Sequence, residues 1–394
     1  MSIHLQVLLT VFITALILGA VVNKTNFCTM GAVSDWVNMG DKGRLRAWFF
    51  AIAVAMGGLA FMQASGIFAW PQEHAQVFPP YRTPLFAWLR YIIGGTIFGI
   101  GMTIGSGCAN RTLVRIGGGN LKSVVVLIAI ASTAYVMMFT DVFGLYVLPW
   151  ATAGAIDLAA SGIETQELGA IVNGVFNIAL PSMNQILGAV IVVVLLWFIF
   201  KSRDFRGSFD NILGGLTVGA AVVMGWWITG GFKGQAWLEE AAFSDNPPAR
   251  VAVQSFTFIS PTGDSARLVL NPSHLEFVSF GVMALTGVIV GSFLYAILSK
   301  RFRIEWFRDK KDATYHVVGG VLMGFGGVLA MGCTIGQGVT GVSTLAVGSF
   351  LALISIIFGS ALTMKIQFNM MSEQGFFQAL RNGLAELRLL PAAK

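Results

Sequence analysis

The sequence predicts an all-α polytopic membrane protein with about nine transmembrane helices, and three observations predict it. Apolar residues make up 55% of the 394 residues and charged residues only 11%, against about a quarter in soluble domains. Apolar runs long enough to cross a bilayer recur from one end to the other. The cations cluster in short segments between those runs. A net charge of +6 is therefore read as topology-setting loop charge. No basic stripe with interleaved aromatics points to nucleic acid.

The runs fall at about 5–22, 45–68, 85–106, 122–140, 183–200, 209–229, 274–299, 314–331 and 344–364. Met1–His4 hold no basic n-region and no A-x-A site closes the first run, so it is expected to be a retained span. Basic links carry Lys42, Arg44 and Arg46, then Arg111, Arg115 and Lys122, then Lys201, Arg203 and Arg206, then Lys300 to Lys311. The tail adds Lys365, Arg381 and Arg388. The segments 69–84, 141–182 and 230–273 carry few cations, and His74 and His274 within the outer loops are expected to be solvated. The positive-inside rule then places the N-terminus in the periplasm and the C-terminus in the cytoplasm. "QGFFQALRNGLAELRLL" in the tail has apolar residues at helical spacing and reads as an interfacial helix.

The runs are related. Setting Tyr91 over His316 without gaps aligns "YIIGGTIFGIGMTIGSGC" with "HVVGGVLMGFGGVLAMGC". Gly94, Gly95, Gly99, Gly101, Gly107 and Cys108 fall on Gly319, Gly320, Gly324, Gly326, Gly332 and Cys333. A third copy, "GGLTVGAAVVMG", starts at Gly214, and its Gly219 matches Gly99. In a partial fourth, Gly19 precedes Cys28 by the nine residues that separate Gly99 from Cys108. In the third copy that position is Ile228. Four units follow, each a Gly-rich helix and a break, with a short segment and a full span after the three cysteine breaks. The expected first half is 1–140, with units 1–68 and 85–140. Residues 141–208 hold an outer loop and the connecting span. The second half is 209–364, with units 209–299 and 314–364, and 365–394 is the tail. The single connecting span inverts the second half relative to the first, an inverted-topology repeat of the transporter kind.

The breaks carry the chemistry. "NFCTMGAVSD", "SGCANRTLVR" and "MGCTIGQGVTG" put small and polar residues at membrane depth, where irregular backbone survives only when packed in protein or lining a cavity. Gly107, Gly332 and Gly336 are expected to make the turns. Short helices starting after them would aim free N–H groups inward, as anion sites do. Thr29, Asn110, Thr334 and Gln337 offer neutral hydrogen bonds, and Lys24, Arg111 and Arg115 lie near in sequence with positive charge. The bland alternatives are membrane anchoring for Arg111 and Arg115 and simple burial for a cysteine. Asp35 reads as a helix cap or an ion-pair partner, and Trp226 and Trp227 as interfacial anchors.

Three thiols at related breaks call for more than burial. A thiol is a weak donor and a soft, polarizable acceptor. A hard anion such as sulfate gains little from it, and a ligand with a terminal sulfur gains more. Serial weak sites suit conduction, while covalent persulfide transfer is the other chemistry open to a low-pKa thiolate. Cys28, Cys108 and Cys333 are an odd number and match no zinc spacing. No GxxxxGK[ST], HExxH or GxSxG occurs, so no metal, cofactor or enzymatic function is expected. A membrane thiol oxidoreductase is the enzymatic rival, although no CxxCH or paired-His pattern supports it.

At "FCTMGAVSDW", "IIGGTIFGIGMTIGSGC" with Arg115 after it, and "GGVLMGFGGVLAMGCTIGQG", the chain resembles the YeeE/YedE family of bacterial membrane proteins, whose characterised members take up thiosulfate. The resemblance spans both halves. It implies an hourglass in the inner membrane, with Cys28, Cys108 and Cys333 lining its waist and passing thiosulfate by S–H···S contacts. It also implies a cytoplasmic sulfur-carrier partner of the TusA type. There are departures. Asn23-Lys24-Thr25-Asn26 stands where relatives often carry Gln-Arg, Asn110-Arg111 follows Cys108-Ala109 in place of Thr-Gly, and 141–182 and 230–273 are longer than typical. Another sulfur or selenium species is therefore the alternative cargo.

Overall fold

The structure, a computed structural model, describes residues 2–71, 73, 76–178, 180–372, 374–387 and 389. His74 and Arg388 lie outside them. Helix α1 (Ile3–Thr25) is followed by a short α2 (Thr29–Ser34), which runs on as a π-turn over Asp35–Met39, and by α3 (Gly43–Ala64). The same order recurs in α4 (Trp88–Ile104), short α5 (Ala109–Gly117) and α6 (Leu121–Phe139). After α7 (Leu148–Ala151) and α8 (Leu168–Phe176) come α9 (Met183–Phe200) and α10 (Arg203–Gly207). The second half holds α11 (Phe209–Gly230), α12 (Phe232–Ala242), α13 (Ser260–Leu270) and α14 (Phe280–Leu298). It ends with α15 (Lys310–Leu329), a π-turn at Gly336–Gly341, α16 (Val347–Met371) and α17 (Phe376–Glu386).

Among the described residues, eight helical stretches are long and apolar enough to cross a membrane, and the chain is a multi-pass membrane protein. The ninth expected span is α15. It is 20 residues long, but Lys310, Lys311, Asp312 and His316 in its first two turns make it less apolar. Polar side chains start several of these helices by accepting orphan N–H groups. Asn120 accepts from Ser123 N at 2.9 Å, Ser279 from Val282 N at 3.4 Å, and Asp309 from Asp312 N at 2.7 Å. The helix expected from residue 274 begins only at Phe280, because Ser279 supplies its cap.

Links between helices join one another in two sets. On the basic face, Asn120 bridges to Glu305, and Lys122 pairs with Asp312 at 2.9 Å. On the opposite face, Val77 bridges to Val253, Glu167 to Ala346, and strand β1 (Leu85–Phe86) pairs with β2 (Ile156–Asp157). Arg82 and Glu167 add an ion pair at 2.8 Å. Described residues of the segments read as outer loops are thus tied to one another and to the bundle. Asp35 pairs with Arg44. At the basic end, Lys365 and Asn369 of α16 hold Glu386 of α17 at 2.9 and 3.0 Å.

The four aligned glycines each press on a neighbouring helix. A β-carbon on Gly99 would sit 2.2 Å from the Ile356 carbonyl oxygen in α16, and one on Gly324 would sit 2.8 Å from that of Ile130 in α6. Gly219 meets Ala51 of α3 at 2.6 Å, and Gly19 meets Val288 of α14 at 2.1 Å. The pairing is reciprocal. The Gly-rich helix of the first unit packs on the span of the third and vice versa, and the second and fourth units pair likewise. Backbone contact of this kind is how small residues hold membrane helices together.

Two expectations are corrected. Ile228 does not stand at a break: α11 continues through it to Gly230. The short segment of the third unit arrives only after α12 and an ordered passage, as α13, which packs against α6 and α14. Trp226 is not an interfacial anchor. It is fully buried, with its indole N–H donating to Ser343 Oγ at 3.1 Å. Trp227 remains half-exposed.

Candidate functional site

α4 and α15 end in the same way. Gly107 N–H donates to the Met102 carbonyl at 2.8 Å and Ser106 N–H to that of Thr103 at 3.2 Å. Gly332 and Met331 donate to Gly327 and Val328 at 2.8 and 3.1 Å. This is Schellman closure around one left-handed residue. That residue is Ser106 (φ 59°) before Cys108, Met331 (φ 60°) before Cys333, and Asn26 (φ 52°) before Cys28, always two positions ahead of the cysteine. The turns expected at Gly107 and Gly332 place their left-handed residue one position earlier, while Gly336 lies inside the π-turn. Gly107 and Gly332 supply room instead: a β-carbon would crowd Arg111 Cγ at 3.2 Å and Gln337 Cγ at 3.0 Å, respectively.

Each cysteine then opens the short segment behind it. Cys28 Sγ accepts from Gly31 N–H and Cys333 Sγ from Gly336 N–H, both at 3.4 Å. Cys108 stands at the N-cap of α5, but its side chain makes no capping hydrogen bond. Ser, Thr, Asn or Asp would cap these turns better, since sulfur is a weak acceptor. A thiol at all three caps is therefore not explained by helix stability. All three are free and buried, at 8%, 1% and 0% exposure in chain order.

The thiols form a string rather than a cluster. Cys28 and Cys108 are side-chain neighbours. The Thr334 hydroxyl lies beside Cys108, that of Thr257 beside Cys333, and that of Tyr81 beside Thr257. Along this string sit buried polar atoms with no hydrogen-bond partner among the described residues: Tyr81 OH, Thr257 Oγ1, Thr334 Oγ1, Gln337 Oε1 and Asn110 Oδ1. Leaving one such buried group without a partner costs about 1–3 kcal/mol. Gln337 is anchored by its other end, Nε2 donating to the Ala330 carbonyl at 2.5 Å. Gly336 lets Thr257 approach, since a β-carbon there would lie 2.4 Å from its Oγ1.

Two cavities flank the string, a polar one on the basic face and a mainly apolar one on the other. On the basic face, about 450 Å³ is lined by Arg111, Arg115, Lys122, Arg301 and Arg303, with Glu305 and Asp312 as the carboxylates. Arg115 Nη1 donates to the Ser106 carbonyl at 2.7 Å and Arg111 Nη2 to Asn26 Oδ1 at 3.1 Å. Both arginines thus brace the left-handed residues ahead of Cys108 and Cys28. Lys24 is elsewhere, its ammonium 5.2 Å from the centre of the Phe209 ring. On the opposite face, a cavity of about 230 Å³ touches Pro79, Pro80, Arg250, Ser260 and Met331, at the threshold of the Cys333 turn.

The structure thus gathers Cys28, Cys108, Asn110, Arg111, Arg115, Cys333, Thr334 and Gln337, and leaves Lys24 out. Tyr81 and Thr257 escaped the sequence reading because they lie in segments assigned to solvated loops. One signal was available: "VAVQSFTFI" at 251–259 is too apolar for a water-facing loop, and every residue from 252 to 264 is buried.

A family described as "Sulphur transport" matches residues 24–362. The chain is 26% identical over 359 residues to "Thiosulfate transporter TsuA" of Escherichia coli (strain K12), covering 90% of this chain and 93% of that protein. It is 25% identical over 370 residues to "Thiosulfate transporter TsuA" of Spirochaeta thermophila, covering 89% and 96%. The match runs through all three cysteine turns and nearly the whole bundle: the chain belongs to the Sulphur transport family, that of the YeeE/YedE proteins.

Proposed function

We propose that the chain takes up thiosulfate, or a closely related sulfur-bearing anion, across the bacterial inner membrane. The observation that carries this is the string of three thiols and unpartnered hydroxyls between two arginine-bearing cavities. Both relatives above are named thiosulfate transporters. A dianion leaving water needs donors in place of its hydration shell. Tyr81, Thr257 and Thr334 offer O–H donors to its oxygens, and the N-termini behind the cysteines offer favourable dipoles. The thiols offer S–H to its terminal sulfur. Each contact is weak, so the anion steps from Cys333 past Thr334 to Cys108 and Cys28 without being trapped.

In this reading the basic face is cytoplasmic, the N-terminus periplasmic and the C-terminus cytoplasmic. Residues 1–140 and 209–364 act as inverted halves around the thiol string, joined through 141–208, with 365–394 as the cytoplasmic tail. Substrate reaches Arg111 and Arg115 last, where a soluble sulfur carrier of the TusA type collects it. The protein is a transporter and not an enzyme.

The test is growth. A bacterial strain stripped of its sulfate and thiosulfate importers and expressing this chain grows on thiosulfate as sole sulfur source and stays unable to use sulfate. Failure to grow, with the protein present in the membrane, overturns the proposal. The adjacency of Cys28 and Cys108 favours one second reading, a thiol oxidoreductase. Alkylation and mass spectrometry after turnover separate the two, since a transporter keeps all three thiols free.

A further inference from the structure

Two arginines on the face opposite the basic links belong to no cysteine turn. Arg250 lies over the Phe78 ring at 4.2 Å, and its Nε donates to both Asp264 carboxylate oxygens at 2.9 and 2.8 Å. That contact occupies the inner edge of the guanidinium and leaves both Nη groups without a hydrogen bond among the described residues. Arg267, on α13, lies over Phe277 at 3.9 Å and 5.0 Å from the centre of Phe139. Its side chain makes no hydrogen bond or ion pair to any described residue. Phe139 also lies 5.8 Å from Arg250, so one ring stands against both cations. Glu276, whose carboxylate lies within electrostatic reach of Arg267, is paired with His274 at 2.5 Å and does not line the cavity that the two arginines share.

These side chains face one cavity of about 340 Å³. It shares Arg250 and Met138 with the smaller cavity that reaches Pro80 and Met331. Those residues adjoin Tyr81 and the Cys333 turn. Aromatic rings pack against both guanidinium groups, and a guanidinium stacked on a ring keeps its N–H edge free for oxygen. Within the lining, two cations stand against one carboxylate, Asp264, which leaves the cavity positive.

We propose that Arg250 and Arg267 form an oxyanion capture site, separate from the thiols, that binds sulfate and thiosulfate alike. It rests on the uptake reading for its role as an entry station. Guanidinium N–H groups recognise oxygens, which both anions present, and gain nothing from a terminal sulfur. Capture is thus unselective, and discrimination falls to the thiols further in. Asp264 acts as a positioning residue that fixes Arg250 by its inner edge.

The test uses the full chain in lipid nanodiscs, titrated calorimetrically with sodium sulfate at low ionic strength. The wild type binds sulfate. Arg267→Gln weakens binding about tenfold or more, the loss of a charge-assisted donor pair. Arg267→Lys restores part of it, and Cys333→Ala, outside the site, binds sulfate like wild type. In proteoliposomes, sulfate inhibits thiosulfate uptake competitively. Arg267→Gln raises KM and relieves that inhibition with the maximal rate unchanged. Absence of sulfate binding, or equal binding by Arg267→Gln, overturns the site. The Arg267 side chain makes no hydrogen bond among the described residues, and an unchanged gel-filtration profile in detergent checks that its variants keep the fold. If the chain moves no thiosulfate, the sulfate titration still decides the site, and the two failures are told apart.

Discussion

The turns at Cys108 and Cys333 share one backbone and live in opposite surroundings. Both close with the same pair of hydrogen bonds around a left-handed residue, and both place a buried thiol at the start of the next segment. Cys108 then has Cys28 beside it, with Arg111 and Arg115 bracing the turns and opening on a cation-rich cavity. Cys333 has only neutral groups, Thr257 and Tyr81, and no cation in contact. Repetition therefore set the place of sulfur, while the packing of distant segments set the field around it. In the proposed uptake, a dianion would move between them from neutral donors toward positive charge.

The sharpest way to break this comparison is to remove the feature the turns share. Cys333→Ala and Cys108→Ala each abolish uptake of radiolabelled thiosulfate in proteoliposomes with folded protein retained. Full activity of either variant defeats the shared role. Cys333→Ser tests softness, since it keeps the size and a better donor yet is expected to transport far less.

The next effects separate the two environments. Tyr81→Phe removes one hydroxyl beside the Cys333 turn and lowers uptake about tenfold, the worth of one hydrogen bond in a dry site. That loss is the same at any salt concentration. Arg115→Gln acts at the Cys108 side and lowers uptake roughly fivefold at low salt. Its effect shrinks as ions screen the cavity, over a Debye length of about 8 Å at physiological strength. A salt-dependent Tyr81→Phe or a salt-independent Arg115→Gln would erase the distinction.

The smallest effect tests the shared backbone. A non-glycine residue held at positive φ costs on the order of 1 kcal/mol. Ser106→Gly and Met331→Gly should therefore each stabilise the protein by up to about 1 kcal/mol, and by similar amounts, in thermal unfolding followed in detergent. Unequal shifts would mean that the two turns carry different strain.

Much of this was legible before the fold. The nine apolar runs became helices close to their expected limits, because a bilayer allows few other ways to bury a backbone. Gly19, Gly99, Gly219 and Gly324 could be aligned by eye, since close backbone contact admits only the smallest residue. The three cysteines stood out for the same reason of place. Errors came where one strand of sequence cannot report its neighbours. Ile228 sat at the aligned position, yet its helix ran on, and the matching segment lay beyond an insertion. Lys24 was near Cys28 in sequence and turned instead to Phe209.

The sequence by itself thus determined the class, the spans, the repeat and the three thiols, because composition and periodicity are local properties of the chain. Only the tertiary structure decided which groups share the thiols' space. Tyr81 and Thr257 come from segments that read as solvated, and Arg250 and Arg267 from the longest of them. Their positions depend on how described residues of these segments pack against distant parts of the chain. That depends on long-range contacts such as Val77 with Val253 and Thr340 with the Phe256 carbonyl at 2.7 Å, which no local pattern encodes.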